Sequence, residues 1–275
     1  MGAPKVSVIV PCYNLGRYLG EALDSVLAQT FPDWECIVVN DGSSDKTDAV
    51  ASSFVEKDSR FRLLALENGG VARARNEGAA ISRGTYLLFL DADDMLMPWC
   101  LAESVPVLEG NPEAKAVCGK AECFGKGIRT KELERPAFSM EAMLAHNCIY
   151  ICSLLRRVDF DRSGGFSSDF AGGLEDWDFW LGILEEGGEV VTPDRIMFRY
   201  RMRRRSRNRL VSDDRLRAIR RLIWNRHKDM YAKYFMDPTD TMEYRRLLYH
   251  YEKYSRFPGI YLYRGVTRIF HRLFS

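Results

Sequence analysis

The chain has 275 residues, 46% of them hydrophobic and 28% charged, an ordinary globular composition long enough for one large domain or one and a half. No apolar run approaches the roughly 18 residues needed to cross a bilayer. The seven cysteines are odd in number and irregularly spaced, with no Cys-x-x-Cys pair, and the four histidines are scattered. That pattern argues against a disulfide framework or a zinc site and points to a reducing, cytoplasmic setting. The net charge of +2 hides an asymmetry: residues 195–275 hold 22 Lys and Arg against 7 Asp and Glu, whereas residues 1–194 hold 18 against 31. An acidic body joined to a basic tail implies an anionic partner or surface for the tail.

In chain order, Lys5–Val10 reads as a first strand, too short for the apolar region of a signal peptide and running straight into Pro11. Tyr18, Leu19, Ala22, Leu23, Val26 and Leu27 recur at helical spacing. Glu35–Val39 is a second strand, closed by the turn-rich segment 40–45. A helix through Val50–Val55, a strand at Arg62–Leu66, a helix from Gly69 to about Ser82 and a strand at Thr85–Leu90 follow. This alternation implies a parallel, doubly wound sheet with right-handed crossovers. Beyond it, Cys100–Leu108 reads as a helix, Lys115–Phe124 as one strand, 125–137 as a loop, Ser139–His146 as a short helix and Glu175–Glu186 as a further helix. From Asp213 onward helical spacing dominates.

The apolar run Tyr86–Leu90 ends in Asp91, Asp93 and Asp94, at the strand end where open α/β sheets bind ligands. Massed carboxylates repel unless a cation or ligand joins them, and Mn2+ or Mg2+ with a phosphate is the natural guest; a turn or cap is the plainer alternative. Asp41, at the end of the second strand, lies where nucleotide binders place an acidic acceptor, or else it caps a turn. No Gly-x-Gly-x-x-Gly follows the first strand, where Pro11–Asn14 stands instead, and no P-loop is present. In Glu175, Asp176 and Asp178 a second acidic cluster opens a helix, where carboxylates complement the dipole. For Asp178 that capping role is the favoured reading, while a neighbouring carboxylate could deprotonate a hydroxyl. Trp177 and Trp180 read as core, with sugar stacking the lesser alternative for Trp177.

Five ordered segments (8–14, 39–45, 68–76, 89–94 and 175–176) together resemble the inverting nucleotide-sugar glycosyltransferases of family 2, which have the type A glycosyltransferase fold. The resemblance covers about residues 5–210. It implies a Rossmann-like, nucleotide-binding mixed sheet flanked by helices, with residues 1–94 as the nucleotide half and 95–210 as the acceptor half of a catalytic domain. Residues 211–275 then form a basic, aromatic helical extension. The resemblance further implies that Pro11, Tyr13 and Asp41 line the base pocket and that Gly70 and Arg73 lie near the nucleoside and phosphates. By the same likeness Asp91, with Ala92 beside it, meets the ribose and Asp93 holds Mn2+ or Mg2+. Asp176 is then the catalytic base, with Glu175 shaping the acceptor site. The expected reaction is metal-assisted transfer of a sugar from a nucleotide donor, UDP-linked, to a saccharide or lipid-linked saccharide in surface polysaccharide assembly.

One departure stands out. Where such enzymes often carry Tyr-Arg-x-His-x-x-Ser, this chain has Arg203 at the histidine position, which can pair with a diphosphate but cannot ligate a metal. Seven arginines between Arg199 and Arg209 leave three targets open: the donor diphosphate, a lipid-linked diphosphate acceptor and anionic headgroups. Residues 244–275 interleave Arg and Lys with aromatic and aliphatic residues, as an interfacial helix on the cytoplasmic membrane face would, or as helices packed on the body would. No nucleic-acid-binding motif accompanies the charge. The competing functions are a nucleotidyltransferase on a related fold and an inactive sugar-nucleotide-binding or membrane-scaffold protein.

Overall fold

A computed structural model describes residues 2–170, 173–203 and 213–234. The chain divides into two compact units, residues 1–227 and 228–275. The first carries two sheets. Its core begins with β1 (Val6–Cys12) and β2 (Trp34–Asp41), in which every residue is buried, as strands covered by helices on both faces require. Strands β3 (Phe61–Leu66) and β4 (Tyr86–Phe89) flank them, all parallel, in the order β3-β2-β1-β4.

The crossovers are α1 (Gly16–Leu27), α2 (Thr47–Lys57) and α3 (Val71–Ile81). In α1, Leu19, Ala22, Leu23 and Val26 of the expected stripe are fully buried, while Tyr18 and Leu27 at its ends are half-buried. Helix α3 presents small residues instead: a Cβ on Gly78 would lie 2.5 Å from Ile9 Cγ2 and 2.9 Å from Val39 Cγ2, so only glycine lets the helix sit this close to β1 and β2.

The short strand β5 (Met95–Leu96) and helix α4 (Cys100–Gly110) lead into the second half. There the single expected strand 115–124 is two: β6 (Ala114–Val117) and β7 (Lys120–Phe124) belong to different sheets. The break falls at Gly119, where a Cβ would overlap Met197. Only Cys118 and Gly119 separate the two strands, too short a gap for the sequence to divide them. Strand β8 (Lys131–Glu132) lies inside the expected loop, and Ser139 caps α5 (Met140–Ala145), its Oγ accepting from Ala142 N at 3.1 Å.

A three-residue strand, β9 (Leu154–Arg156), runs antiparallel to both β4 and β6. With β10 (Glu189–Val191) it completes a seven-stranded mixed sheet, β10-β6-β9-β4-β1-β2-β3. The mixed sheet flanked by helices is therefore as expected, and its antiparallel member is what the strand–helix alternation does not reveal. A second sheet, β5-β11-β7-β8, is built on β11 (Ile196–Arg201).

Helix α6 (Arg157–Ser163) and α7 (Glu175–Ile183), with a 3₁₀ turn (Ser168–Phe170) between them, follow, and the two helices pack on β4 through an aromatic cluster. Phe166 stacks on Phe179 at 4.1 Å between ring centres and meets Phe89 edge-on at 5.0 Å, with Phe160 and Trp180 around them. These rings fix the start of α7 against the carboxyl end of β4. Helix α8 (Asp213–Arg226) belongs to the first unit, burying Ile219 and Ile223. Of the second unit only α9 (Lys228–Tyr234) is described, and the expected interfacial segment 244–275 lies outside the described residues.

Gly84, in the turn before β4, donates its N–H to Ser7 Oγ at 2.8 Å, and a Cβ there would stand 2.5 Å from Ser7 N. Backbone atoms of a buried strand cannot yield cheaply. Gly84→Ala is expected to lower the unfolding free energy by about 1–3 kcal/mol in chemical denaturation; an unchanged midpoint would show that the turn can move.

Candidate active site

Three loops meet at the carboxyl ends of β1, β2 and β4. The first two are laced together before any ligand arrives. Asn14, with φ of +53°, donates its N–H to Ser43 Oγ and accepts from Ser44 N, both at 2.9 Å. Asp45 accepts from Gly16 N at 2.9 Å and from Thr47 N at 3.0 Å, tying the starts of α1 and α2. Pro11 is buried beneath this rim, and Tyr13 stands 51% exposed on it.

Asp41 is buried, and its carboxylate accepts from Gly69 N at 2.8 Å, Gly70 N at 2.9 Å and Asn68 Nδ2 at 3.1 Å. It thus holds the glycine loop that opens α3, with Gly70 at φ +88° and open space where a side chain would point. Arg73 lies over Gly69, half exposed, with Nη1 donating to Glu67 O at 3.3 Å.

Two residues further along, Arg75 points the opposite way. Its guanidinium is buried and bridges two carboxylates, donating from Nη2 to Asp91 Oδ1 at 2.8 Å and from Nη1 to Glu175 Oε1 at 3.0 Å. Burial works against its charge, and Asp91 and Glu175 more than offset that. Asn76 clamps the backbone of Phe166, donating to its carbonyl at 2.8 Å and accepting from its N–H at 2.9 Å. Arg75 and Asn76 thereby bind α3 and the end of β4 to Phe166 and the start of α7. Sequence reasoning missed both, although a signal existed: Ala72, Arg75 and Ala79 share one stripe of α3, and a charge on an apolar stripe marks a buried ion pair.

At the start of α7, Leu174 takes a left-handed conformation, φ +60°, rare for a branched side chain. Asp176, partly buried, accepts from Asn147 Nδ2 at 2.9 Å and from Trp177 N at 2.9 Å. Burial, and then the neighbouring Glu175 charge, push its pKa up to about 6. Asp178 stands in the first turn of α7, as expected of a carboxylate complementing the dipole, and, buried, it also faces His227 Nε2 at 2.9 Å and Arg226 Nε at 3.0 Å and so anchors α8. Trp177 belongs to the core, its Nε1 donating to Met143 O at 2.7 Å, and Trp180 is fully buried.

The acidic turn after β4 closes with Asp94 N donating to Asp91 O at 2.9 Å. Ala92 is buried within it. Asp94, given no role by sequence, accepts from Arg201 N at 2.8 Å and ties the turn to β11; burial, then Asp91 and Asp93, raise its carboxyl far above the usual range. Asp93 accepts Arg201 Nε on its carbonyl at 2.7 Å, and its Oδ2 lies 2.5 Å from Arg203 Nε. Burial, then Asp91, raise the Asp93 carboxyl. Arg204 to Arg209 lie outside the described residues.

Among the described residues no cluster of three or more His, Cys, Asp or Glu is arranged to hold a metal ion. With Asp94 buried and tied to Arg201 N, Asp91 and Asp93 are the residues of the turn that offer hard carboxylate oxygens. That set fits Mn2+ or Mg2+ in the mode in which one or two carboxylates act with phosphate oxygens of a bound substrate.

Residues 7–179 match the family model described as glycosyl transferase family 2, and the chain belongs to that family. It is 31% identical to the uncharacterized glycosyltransferase EpsJ of Bacillus subtilis, over 72% of this chain and 61% of that protein, so it spans less than two thirds of this relative. Glycosyltransferase GlyG of Streptococcus pneumoniae is 41% identical over 33% of this chain and 31% of its own length. Among solved structures, residues 1–349 of Staphylococcus aureus TarS in complex with UDP match with TM-score 0.65 at 18% identity, over 86% of this chain and 72% of that one. A Pyrobaculum calidifontis mannosyltransferase in complex with GDP-Man and Mn2+ matches with TM-score 0.62 at 20% identity, over 98% and 81%. The fold is the type A glycosyltransferase fold.

Removing one partner of a buried ion pair leaves an uncompensated charge. Arg75→Gln is expected to cost about 3–5 kcal/mol of stability, with partial recovery in the double variant Arg75→Gln/Glu175→Gln. Urea denaturation checks both, and a single-variant loss under about 1 kcal/mol would contradict the bridge.

Proposed function

We propose that this family 2 chain transfers a sugar from a nucleotide-diphosphate donor, UDP-linked, to a hydroxyl of a saccharide or lipid-linked saccharide, with inversion at the anomeric carbon. The observation that carries this reading is Asp176. It is a partly buried carboxylate with a pKa raised to about 6, separated from the acidic rim of β4 by one buried guanidinium. UDP in the TarS structure, UDP-GlcNAc in another TarS structure, and GDP-Man in the mannosyltransferase support a nucleotide-sugar donor.

In this reading Pro11, Tyr13 and Asp41 receive the base; Asp41 Oδ1, which accepts one hydrogen bond, has a second lone pair for it, whereas Oδ2 already accepts two. Gly70 and Arg73 face the nucleoside and phosphates from the loop that Asp41 holds. Asp91, which keeps Oδ2 beyond its contact with Arg75, accepts from the ribose, with Ala92 packed beneath. Arg203 pairs with the diphosphate. Asp93 is the residue that would hold Mn2+ or Mg2+, which supplies neutralisation of the charge gathering on the leaving diphosphate.

Asp176 takes the proton of the acceptor hydroxyl as that oxygen bonds to the anomeric carbon. The bond from that carbon to the diphosphate oxygen breaks, its electron pair leaving with the nucleotide. One displacement from the opposite face inverts the centre, and Asn147 keeps the Asp176 carboxylate aimed at the acceptor. Glu175, held by Arg75, shapes the acceptor side. The excess positive charge of residues 195–275 supports a role at anionic membrane surfaces, in surface polysaccharide assembly. Among the described residues no helix is long and apolar enough to cross a membrane.

Calorimetric titration with a panel of nucleotide sugars, each with and without Mn2+, tests the donor. Asp176→Asn is expected to keep donor affinity and lose turnover by a factor on the order of 10²–10⁴. Full turnover in that variant would reject Asp176 as the base.

A further inference from the structure

Three guanidinium groups surround the acidic turn, and they are not equally held. Arg75 is buried between two carboxylates. Arg201 donates to Asp93 O, meets Glu21 Oε2 at 3.0 Å and lies between the Phe124 and Tyr18 rings at 4.3 and 4.7 Å. Arg203 has, among the described residues, the Asp93 carboxylate at 2.5 Å and the more distant Tyr18 ring at 5.8 Å. The contact is a single charged pairing in a partly buried site, and a stronger charge can displace it.

We propose that Arg203 occupies the cation position at Asp93 in the donor-free protein and competes with the divalent cation for it, moving to the donor diphosphate when cation and donor load together. This rests on the function proposed above. A guanidinium on Asp93 Oδ2 and a divalent cation on the same carboxylate repel each other in a partly buried site, so each weakens the other's hold. A guanidinium released from Asp93 stands beside the phosphates that the cation would share, and phosphate is the group its planar fork fits best. Arg203 thus keeps the acidic turn compensated when empty and serves as a phosphate ligand when full. It also makes cation binding depend on the donor, since release of Arg203 is easier where a diphosphate can receive it.

The test uses the full chain and Mn2+ alone, with free Mn2+ followed by electron paramagnetic resonance, then UDP titrated by calorimetry at saturating Mn2+. Without nucleotide, Arg203→Gln is expected to bind Mn2+ about tenfold more tightly than wild type, the size of one charged contact. Arg203→Lys, which keeps the charge, should stay near wild type, and Asp93→Asn should lose binding. With UDP the order reverses, Arg203→Gln binding the nucleotide about tenfold more weakly. Thermal melts establish that the variants are folded, and Arg203→Lys carries the comparison should Arg203→Gln melt early, a tighter Mn2+ affinity in that variant than in wild type counting against the latch. Unchanged or weaker Mn2+ binding in Arg203→Gln overturns the proposal, as does a wild type that takes up no Mn2+. The Mn2+ arm needs no donor: if it behaves as stated while no nucleotide binds, the function fails and the competition stands. If nucleotide binds and turns over while Mn2+ affinity ignores Arg203, the reverse holds.

Discussion

A buried guanidinium tolerates its surroundings only if carboxylates come to it, and Arg75 recruits two from distant parts of the chain. Asp91 comes from the end of β4 and Glu175 from the start of α7, 100 residues from Arg75 in sequence. Neither half of the fold can shift independently without stranding a charge in the interior, at a cost of several kcal/mol. Asn76, one position on, fastens the Phe166 backbone, whose ring lies 5.1 Å from the Arg75 guanidinium. The register between the carboxyl end of β4 and the start of α7 is therefore set by two adjacent side chains of α3.

The carboxylates of the site fall into two groups by what satisfies them. Asp41, Asp45 and Asp178 are engaged by backbone amides or cationic side chains and act as fixtures for the glycine loop, the helix starts and α8. Asp93 and Asp176 are less fully satisfied, and burial raises both carboxyls. Groups left short of partners in this way have capacity for a cation, a phosphate-bound arginine or a substrate proton.

Much of this was legible before any coordinates. The alternation of apolar runs and helical stripes through residue 90 locates four parallel strands within a residue or two, because each run is long and bounded by turn residues. The second half resists such reading for physical reasons. Strand β9 has three residues and ends in arginine, and β6 and β7 are separated only by Cys118 and Gly119, where the chain changes sheet. Acidic side chains announce themselves wherever strand ends or helix starts expose them, which is why Asp91, Asp93, Glu175 and Asp176 stand out. What connects them does not. Arg75 resembles any helical arginine until its stripe is seen to be apolar, and Asn147 sits in a loop whose approach to Asp176 is purely tertiary. Asp178, read as a helix cap, also meets partners 48 and 49 residues away, beyond the reach of a local rule.

The account turns on Asp176 serving as proton acceptor from a site that raises its pKa. The most direct measurement is the pH dependence of kcat/KM with a turned-over donor, in wild type and in Asn147→Ala. An acceptor must be ionised, so kcat/KM should rise with pH through about 6 with the slope of a single proton. Loss of the Asn147 hydrogen bond to the carboxylate should move that limb to higher pH. A profile flat through pH 5, or a limb indifferent to Asn147, would contradict it.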